Sequence, residues 1–181
     1  MVEPSLVDKI IEIHAALEGA GVGHAFGGAL ALAYYTREPR ATADIDLNVS
    51  LPAVEAHLAL SALPAGVEWG SGDVDQVARD DQVRLWWGRT PIDLFFRASA
   101  FHDGVATRVT WMPFAETVLP FLSANDLAVF KSLFDRPKDW LDIGAMAESG
   151  ALDIDSVVTA LESLIGPDPR IERIRALDAR S

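Results

Sequence analysis

The sequence contains no cysteine, few basic residues and no long apolar run. Its 181 residues include 15 Lys and Arg but 27 Asp and Glu, giving a formal net charge of -12 at pH 7. The absence of cysteine excludes disulfide frameworks, thiolate zinc sites and cysteine nucleophiles, and it is compatible with a reducing compartment. The acidic excess excludes a histone-like or DNA-coating protein, because such binding depends on clustered cations. We therefore expect no DNA partner and a cytoplasmic location.

Other absences concern membranes and helical zinc sites. The longest weakly polar run covers residues 25–35, whereas a helix needs roughly 20 apolar residues to cross a bilayer. The first residues show no basic region followed by an apolar stretch, so we expect no export signal. The histidines never stand four residues apart, which excludes a helical His pair for zinc. We expect no membrane partner.

Hydrophobic periodicity predicts a mixed sheet interleaved with helices, followed by a helical C-terminal region. The expected fold class is α+β. The expected elements are a helix starting at residue 6 with Ser5 as its N-cap, a strand at 22–26, a helix at 29–35, a strand at 44–49, a helix at 53–63, a hairpin at 83–96, an extended segment at 117–122, and helices at 123–134, 138–148, 154–164 and 170–179. Residues 64–82 are rich in Gly, Pro and acidic residues, which indicates loops with at most a short helix.

Three Asp-x-Asp pairs occur, at residues 44/46, 73/75 and 153/155. About 1.6 such pairs are expected by chance at this Asp content, so the pattern alone predicts no function. Asp153 and Asp155 precede a helical pattern and are explained by N-capping and by the helix dipole. Asp73 and Asp75 are expected in a solvated, glycine-rich loop. Only the pair at 44/46 lies on an expected strand.

Asp44 and Asp46 would project from one face of that strand, about 6.6 Å apart, while Ile45 and Leu47 point into the packed layer. Asp93 lies on the second strand of the expected hairpin. If the two strands are neighbours, about 4.8 Å apart, three carboxylates converge. Each pair would repel by roughly 3 kcal/mol, so we expect a divalent cation or a bound proton to compensate. Oxygen ligands of this kind suit Mg²⁺.

A glycine pair, Gly27-Gly28, ends the strand that precedes the acidic strand. Such a turn allows close approach of a triphosphate, and the helix that follows offers N–H groups and its positive dipole end to an anion. A tight strand-to-helix turn would explain the pair equally well. With the carboxylates, however, it suggests nucleotidyl transfer, in which an acceptor attacks the α-phosphate of a nucleoside triphosphate (NTP).

Two stretches resemble motifs of the nucleotidyltransferase superfamily, which shares the DNA polymerase β-type palm. The glycine motif, the Asp-x-Asp and the third Asp of that superfamily resemble GGALALAYYTREPRATADIDL, followed by PIDLF. The helical signature of AbiEii-type nucleotidyltransferases, which include toxins of toxin-antitoxin systems, resembles NDLAVFKSLFDRPKDWLDI. The resemblance covers about residues 22–143. It implies a polymerase β-like core domain over residues 1–122 and a helical region over 123–181 packed on it.

The resemblance also implies roles for individual residues. Asp44 and Asp46 would hold two Mg²⁺ or Mn²⁺ ions, and Asp93 would ligate the second ion and help to remove the acceptor's proton. Lys138 would assist catalysis by neutralising the leaving pyrophosphate. Nucleotide binding would fall to Gly27, Gly28, Arg40, Thr42, Lys131 and Lys138.

The cationic residues have alternatives that the sequence leaves open. Lys138 and Asp139 would also fit a surface ion pair, and Lys131 would fit a packed helix with its amine extended to solvent. Asp139 and Asp142 are expected to support the lysines or cap the helix. A C-terminal cluster of arginines would suit the phosphates of RNA or, equally, the dipole of a C-terminal helix; its members are Arg170, Arg173, Arg175 and Arg180.

The expected enzyme transfers a nucleoside monophosphate (NMP) from an NTP to an acceptor. The resemblance favours tRNA as the acceptor, in a toxin with a possible cognate antitoxin. The alternative enzyme modifies a small hydroxyl-bearing molecule such as an aminoglycoside, since a cationic antibiotic would suit the acidic loop at 73–81 and the resemblance to nucleotidyltransferases allows it. A third interpretation is a nucleotide-binding, antitoxin-like protein that has lost catalysis.

Overall fold

The computed structural model describes residues 3–37 and 41–178. Within these ranges seven strands form one sheet: β1 (His24–Phe26), β2 (Ile45–Pro52), β3 (Val67–Glu68), β4 (Gln82–Trp87), β5 (Thr90–Arg97), β6 (Thr110–Phe114) and β7 (Thr117–Phe121). The helices are α1 (Leu6–Gly19), α2 (Gly28–Tyr35), α3 (Ala56–Ala62), α4 (Ser71–Asp80), α5 (Ala100–Arg108), α6 (Ala124–Phe134), α7 (Pro137–Glu148), α8 (Ile154–Ile165) and α9 (Pro169–Asp178). A 3-10 turn, Ala53–Glu55, precedes α3.

The strands follow the order β3-β4-β5-β2-β1-β7-β6. The β2–β5 and β1–β7 pairs are parallel and the other neighbouring pairs are antiparallel, so the sheet is mixed. This arrangement confirms the α+β class expected from the sequence. The hairpin predicted over 83–96 is confirmed as β4 and β5, whose six register pairs run from Gln82 with Phe95 to Trp87 with Thr90.

Helix α1 shows how local sequence determines an element. The Ser5 side chain accepts a hydrogen bond from the Asp8 amide at 3.2 Å, and the Asp8 carboxylate accepts one from the Ser5 amide at 3.1 Å. This capping box satisfies two N–H groups that would otherwise lack partners. Ile10, Ile13 and Leu17 lie on the buried face at the predicted helical spacing. The prediction of Ser5 as the N-cap is confirmed.

The segment 64–82 differs from its predicted loops. It contains the short strand β3 and the ten-residue helix α4. Asp73 lies in the first turn of α4, where its carboxylate accepts a hydrogen bond from the Gly70 amide at 2.8 Å. The loop position expected for Asp73 and Asp75 is therefore wrong, because both lie in a helix whose start Asp73 caps. The glycines of this segment weaken its helical signal in the sequence. Helix α5 and strand β6 were likewise not anticipated from the sequence.

The chain divides into two compact units. Unit 1 comprises residues 1–28 and 41–121, and unit 2 comprises residues 29–40 and 122–181. Within the described residues, unit 1 contains the sheet with α1 and α3–α5. Unit 2 contains α2 from Ala29 onward and α6–α9. In unit 2, α6 packs against α7 and α8, and α9 packs against α8 and α7. Buried Leu127, Ile143 and Leu161 contribute to its core.

Across residues 3–37 and 41–178, no helix has the length and apolarity needed to cross a bilayer.

Candidate active site

The carboxylates of the candidate site lie on neighbouring strands of unit 1. Strands β2 and β5 run parallel, and Asp46 stands directly beside Asp93 in their register. Ile45 and Leu47 of β2 are fully buried and pair with apolar residues of β5, so the acids share the opposite face of the sheet. Asp44 immediately precedes β2. The adjacency of these strands, on which the predicted convergence depended, is present.

Arg84 of β4 contacts the third of these acids. The β4–β5 register places Arg84 opposite Asp93. Its Nε donates to Oδ1 of Asp93 at 2.7 Å and its Nη2 to Oδ2 at 2.6 Å, so the guanidinium binds both oxygens. The Arg84 side chain is 53% exposed and that of Asp93 is 20% exposed. The hydrogen bonds and charge of Asp93, and then the charges of Asp44 and Asp46, raise the pKa of Arg84 above its ordinary value.

Arg84 was not predicted as a site residue, although the alternation of residues along β4 indicated its position. In β4 the exposed residues alternate with buried ones, and Arg84 falls on the exposed set. On a strand that pairs with β5, this phase puts Arg84 on the face that carries Asp93. The pairing of the two strands had been predicted, but the register had not. A shift of one residue would have placed Arg84 on the buried face.

The glycine turn lies against Asp46. Gly28 begins α2 with φ +52°, a left-handed conformation that favours glycine. A Cβ atom built on Gly28 would overlap Oδ2 and Cγ of Asp46. The amide of Gly27 donates to the main-chain oxygen of Asp46 at 2.9 Å. The turn therefore brings backbone without side chains next to the Asp46 carboxylate.

The loop before β2 is ordered by Thr42. Its Oγ1 accepts a hydrogen bond from the Asp44 amide at 3.2 Å and lies 3.3 Å from the Asp44 carbonyl oxygen. Short polar side chains often shape turns in this way. Thr42 thus orients the loop that carries Asp44. Arg40, the other candidate in this loop, lies outside the described residues.

The residue types at the candidate site favour a metal ion, but their arrangement in the structure does not. Carboxylate oxygens are the ligands that Mg²⁺ prefers, and Asp46 and Asp93 stand side by side. In the described part of the chain, however, no group of three or more His, Asp or Glu side chains is arranged to hold a metal ion. Asp93 is instead bound by Arg84. The residue types fit a magnesium site, and the ion pair with Arg84 would have to open for Asp93 to join it.

In unit 2, Lys131 is buried among acids. Its side chain is 7% exposed, and its Nζ lies 2.7 Å from Asp142 and 3.5 Å from Asp139. Asp139 also accepts two hydrogen bonds from Arg136. Burial alone would raise the pKa of Asp139, but the hydrogen bonds from Arg136 and the charge of Lys131 outweigh it and lower the pKa. The expectation that both acids support a lysine describes Lys131, whose amine does not extend into solvent.

Lys138 and the C-terminal arginines have different environments. Lys138 is exposed at the start of α7, and Asp139 pairs with Arg136 and Lys131. Arg170 pairs with Asp168 at 2.7 Å, Arg173 lies 4.0 Å from the centre of the Trp140 ring, and Arg175 pairs with Glu162 at 2.5 Å. The three described arginines thus contact acids or an aromatic ring within unit 2. Arg180 lies outside the described residues.

Comparison with known proteins shows likeness in structure and not in sequence. No family model matches the chain, and no curated protein matches it. The solution structure of the antibiotic-resistance factor ANT(2'')-Ia matches with TM-score 0.58 and 15% identity over 99% of this chain and 98% of that one. Its complex with adenylyl-2''-tobramycin matches with TM-score 0.54 and 17% identity over 96% and 97%. The lincomycin-bound lincosamide antibiotic adenylyltransferase LnuA matches with TM-score 0.53 and 14% identity over 77% and 94%.

These values establish the fold. The mixed sheet flanked by helices is that of nucleotidyltransferases, as the resemblance of GGALALAYYTREPRATADIDL implied. Identities of this size carry no residue roles from one chain to the other. The narrower resemblance to AbiEii-type proteins stays a prediction.

Proposed function

We propose that this protein is a metal-dependent nucleotidyltransferase that transfers NMP from an NTP to an acceptor hydroxyl. In this reaction the acceptor oxygen bonds to the α-phosphorus, the bond from that phosphorus to the bridging oxygen breaks, and pyrophosphate leaves. The observation that carries the proposal is the register pair of Asp46 and Asp93, with Gly28 packed directly against Asp46. Carboxylates next to a helix start that lacks side chains suit a metal-bound triphosphate.

The chain's own residues would divide the work as follows. Asp44, Asp46 and Asp93 would hold Mg²⁺ or Mn²⁺, as one ion or two. When bound, the metal would neutralise phosphate oxygens and lower the pKa of the acceptor hydroxyl. Asp93 would accept the proton of that hydroxyl. Gly28 would let the phosphates approach the backbone, while Gly27, whose amide already bonds to Asp46, would hold the turn against β2.

The proposed cationic contacts are fewer than the sequence suggested. Lys131 is buried and bound to Asp142, so we assign it to the packing of unit 2. Lys138 is exposed and keeps the proposed role of neutralising the triphosphate and the leaving pyrophosphate. Arg40 keeps its proposed phosphate contact, and Thr42 is proposed to set the loop that presents Asp44.

For the acceptor, we propose a small hydroxyl-bearing molecule with cationic groups. A protein with a net charge of -12 attracts cations over long distances and does not steer RNA toward itself. The described C-terminal arginines are engaged by acids and by Trp140. Of the structures similar to this fold, one contains an adenylylated tobramycin and another lincomycin. Transfer to tRNA by a toxin, with its antitoxin, is the competing function that the experiment must separate.

The test is incorporation of label from each of the four α-labelled NTPs, with Mg²⁺ or Mn²⁺, into separate acceptors. The acceptors are a set of aminoglycosides, a lincosamide and total tRNA. We expect label on a small molecule, and Asp46→Asn should reduce it at least about 100-fold because it removes a metal ligand. Asp75→Asn is the matched control, since it makes the same change at an exposed position of another Asp-x-Asp pair and should keep full activity.

Each outcome has a definite meaning. Label on tRNA alone would replace the small-molecule acceptor with the RNA acceptor and support the toxin function. Metal-dependent NTP binding with no pyrophosphate release on any acceptor would support the antitoxin-like, binding-only protein. Equal activity of the wild type and folded Asp46→Asn would refute the proposed site.

A further inference from the structure

The ion pair between Arg84 and Asp93 joins two strands on the face that carries the acids. We propose that Arg84 is a positioning residue that exchanges partners: it holds Asp93 before nucleotide binds and turns to the nucleotide's phosphates when Asp93 turns to the metal. This inference rests on the proposed function, because it concerns the same carboxylates. It adds a residue that the resemblance did not include and an order of events at the site.

The geometry allows this exchange. The backbone of Arg84 is fixed by β4, which pairs with β5 along six register positions. Its side chain, in contrast, is half exposed and projects from the open face of the sheet. A guanidinium presents donors in a planar fork that matches carboxylates and phosphates equally well. The side chain of Arg84 can therefore move from Asp93 to a phosphate without a change in the fold.

The charges make the exchange favourable. Besides Asp93, Arg84 lies close to the charge of Asp46, which stands directly beside Asp93 in the β2–β5 register. Arg84 thus serves as the counter-ion of an acidic cluster, which is the role that a divalent cation would take in the loaded state. Asp93 would leave Arg84 in order to hold a metal ion. When a triphosphate enters, it supplies new negative charge to which the displaced guanidinium can bind.

A purely structural role for the ion pair between Arg84 and Asp93 does not explain its position beside Asp46. The hairpin already has a complete ladder, and its other face buries Val83, Leu85 and Ile92. An ion pair with a half-exposed partner adds little to the stability of such a hairpin. A structural brace would also give no reason for its partner to be the acid that stands beside Asp46.

The exchange predicts effects of opposite sign. Arg84→Gln frees Asp93 and removes a positive charge that would repel a divalent ion at these acids, so Mn²⁺ alone should bind about tenfold more tightly. The same change removes a phosphate contact, so a metal-bound triphosphate should bind about tenfold more weakly. Arg84→Lys keeps the charge but loses the planar fork, so Mn²⁺ binding should stay near wild type and nucleotide affinity should fall between those of wild type and Arg84→Gln.

The experiment measures binding without turnover in the intact protein. Free Mn²⁺ is followed by electron paramagnetic resonance, and binding of α,β-methylene ATP with Mg²⁺ is followed by calorimetry. The variants are Arg84→Gln, Arg84→Lys and the control Arg79→Gln, which removes an exposed arginine of α4 in the same unit. Mn²⁺ binding that is lost in Asp46→Asn is assigned to the proposed site.

Tighter Mn²⁺ binding together with weaker nucleotide binding in Arg84→Gln supports the exchange. A change of both affinities in the same direction, or affinities equal to those of Arg79→Gln, would overturn the exchange. The proposed function would still stand in that case if Mn²⁺ binding by the wild type depends on Asp46. Wild-type protein that binds no Mn²⁺ through Asp46 would overturn the proposed function and this inference with it.

Discussion

Replacing Gly28 by alanine should damage the site by a mechanism that can be separated from ordinary backbone strain. Gly28 has φ +52°, and an added Cβ would overlap the Asp46 carboxylate. Gly21, in the same unit, has φ +71°, and a Cβ added there would meet no atom within 4 Å. The two substitutions therefore share the cost of a left-handed alanine, and only Gly28→Ala forces Asp46 to move.

The magnitudes follow from these two terms. A left-handed conformation costs alanine roughly 1–2 kcal/mol, which we expect for Gly21→Ala. Pushing the Asp46 side chain off its rotamer adds about 0.5–1.5 kcal/mol, so Gly28→Ala should lose about 1.5–3.5 kcal/mol. The displaced carboxylate should also weaken Mn²⁺ binding at least about tenfold, because metal ligands must lie within narrow distances of the ion.

The assay combines urea unfolding with Mn²⁺ titration of wild type and both variants. Gly21→Ala should lose stability but keep its Mn²⁺ affinity, and Gly28→Ala should lose both. Equal unfolding free energies and equal Mn²⁺ affinities in the two variants would show that Gly28 serves only the turn, and the contact with Asp46 would then have no functional meaning.

Two further predictions concern buried ionisable groups. Lys131→Met should lower the free energy of unfolding in urea by about 3–5 kcal/mol, because it leaves buried carboxylates without the ammonium they face. The control Lys138→Met, at an exposed position, should change it by less than about 0.5 kcal/mol. Similar values for the two variants would contradict the buried ion pair. Burial lowers the pKa of His24 from 6.5, an effect that the neighbouring His14 increases and Glu18 opposes. Near this pKa the unfolded chain binds more protons than the folded protein, so the free energy of unfolding should be steady above pH 7 and fall below about pH 6.5. The fall should be at most ~1.4 kcal/mol per pH unit, and His24→Gln should reduce that slope. An unchanged slope between pH 6.5 and 5.5 would show that His24 does not cause it.

The elements with strong local signals could be predicted from the sequence. The capping residue Ser5, the alternation on β2 and the turn between β4 and β5 each depend on interactions between residues close in the chain. The glycine turn was also placed correctly, at the end of β1. The position of Gly28 against Asp46 depends on pairing across the sheet, and the sequence could only suggest it.

Features that depend on register or on weak helix propensity were not predictable in the same way. Helix α4 contains Gly72 and buries only Val77, so its helical signal is faint, and capping by Asp73 supports its start. Arg84 meets Asp93 because of a register that local sequence does not specify. Lys131 meets Asp142 through the packing of α6 against α7, which periodicity alone leaves undefined.

The source of charge compensation at the acidic face is the main difference between expectation and structure. Three carboxylates on one face were expected to need a divalent cation or a proton, and a guanidinium was not considered. Arg84 supplies a positive charge from the next strand and binds both oxygens of Asp93. The protein can therefore offset part of the charge of these acids with its own side chain. What distinguishes a metal site from a structural ion-pair network here is whether divalent ions displace Arg84 from Asp93, and the opposite effects on metal and nucleotide affinity measure that displacement directly.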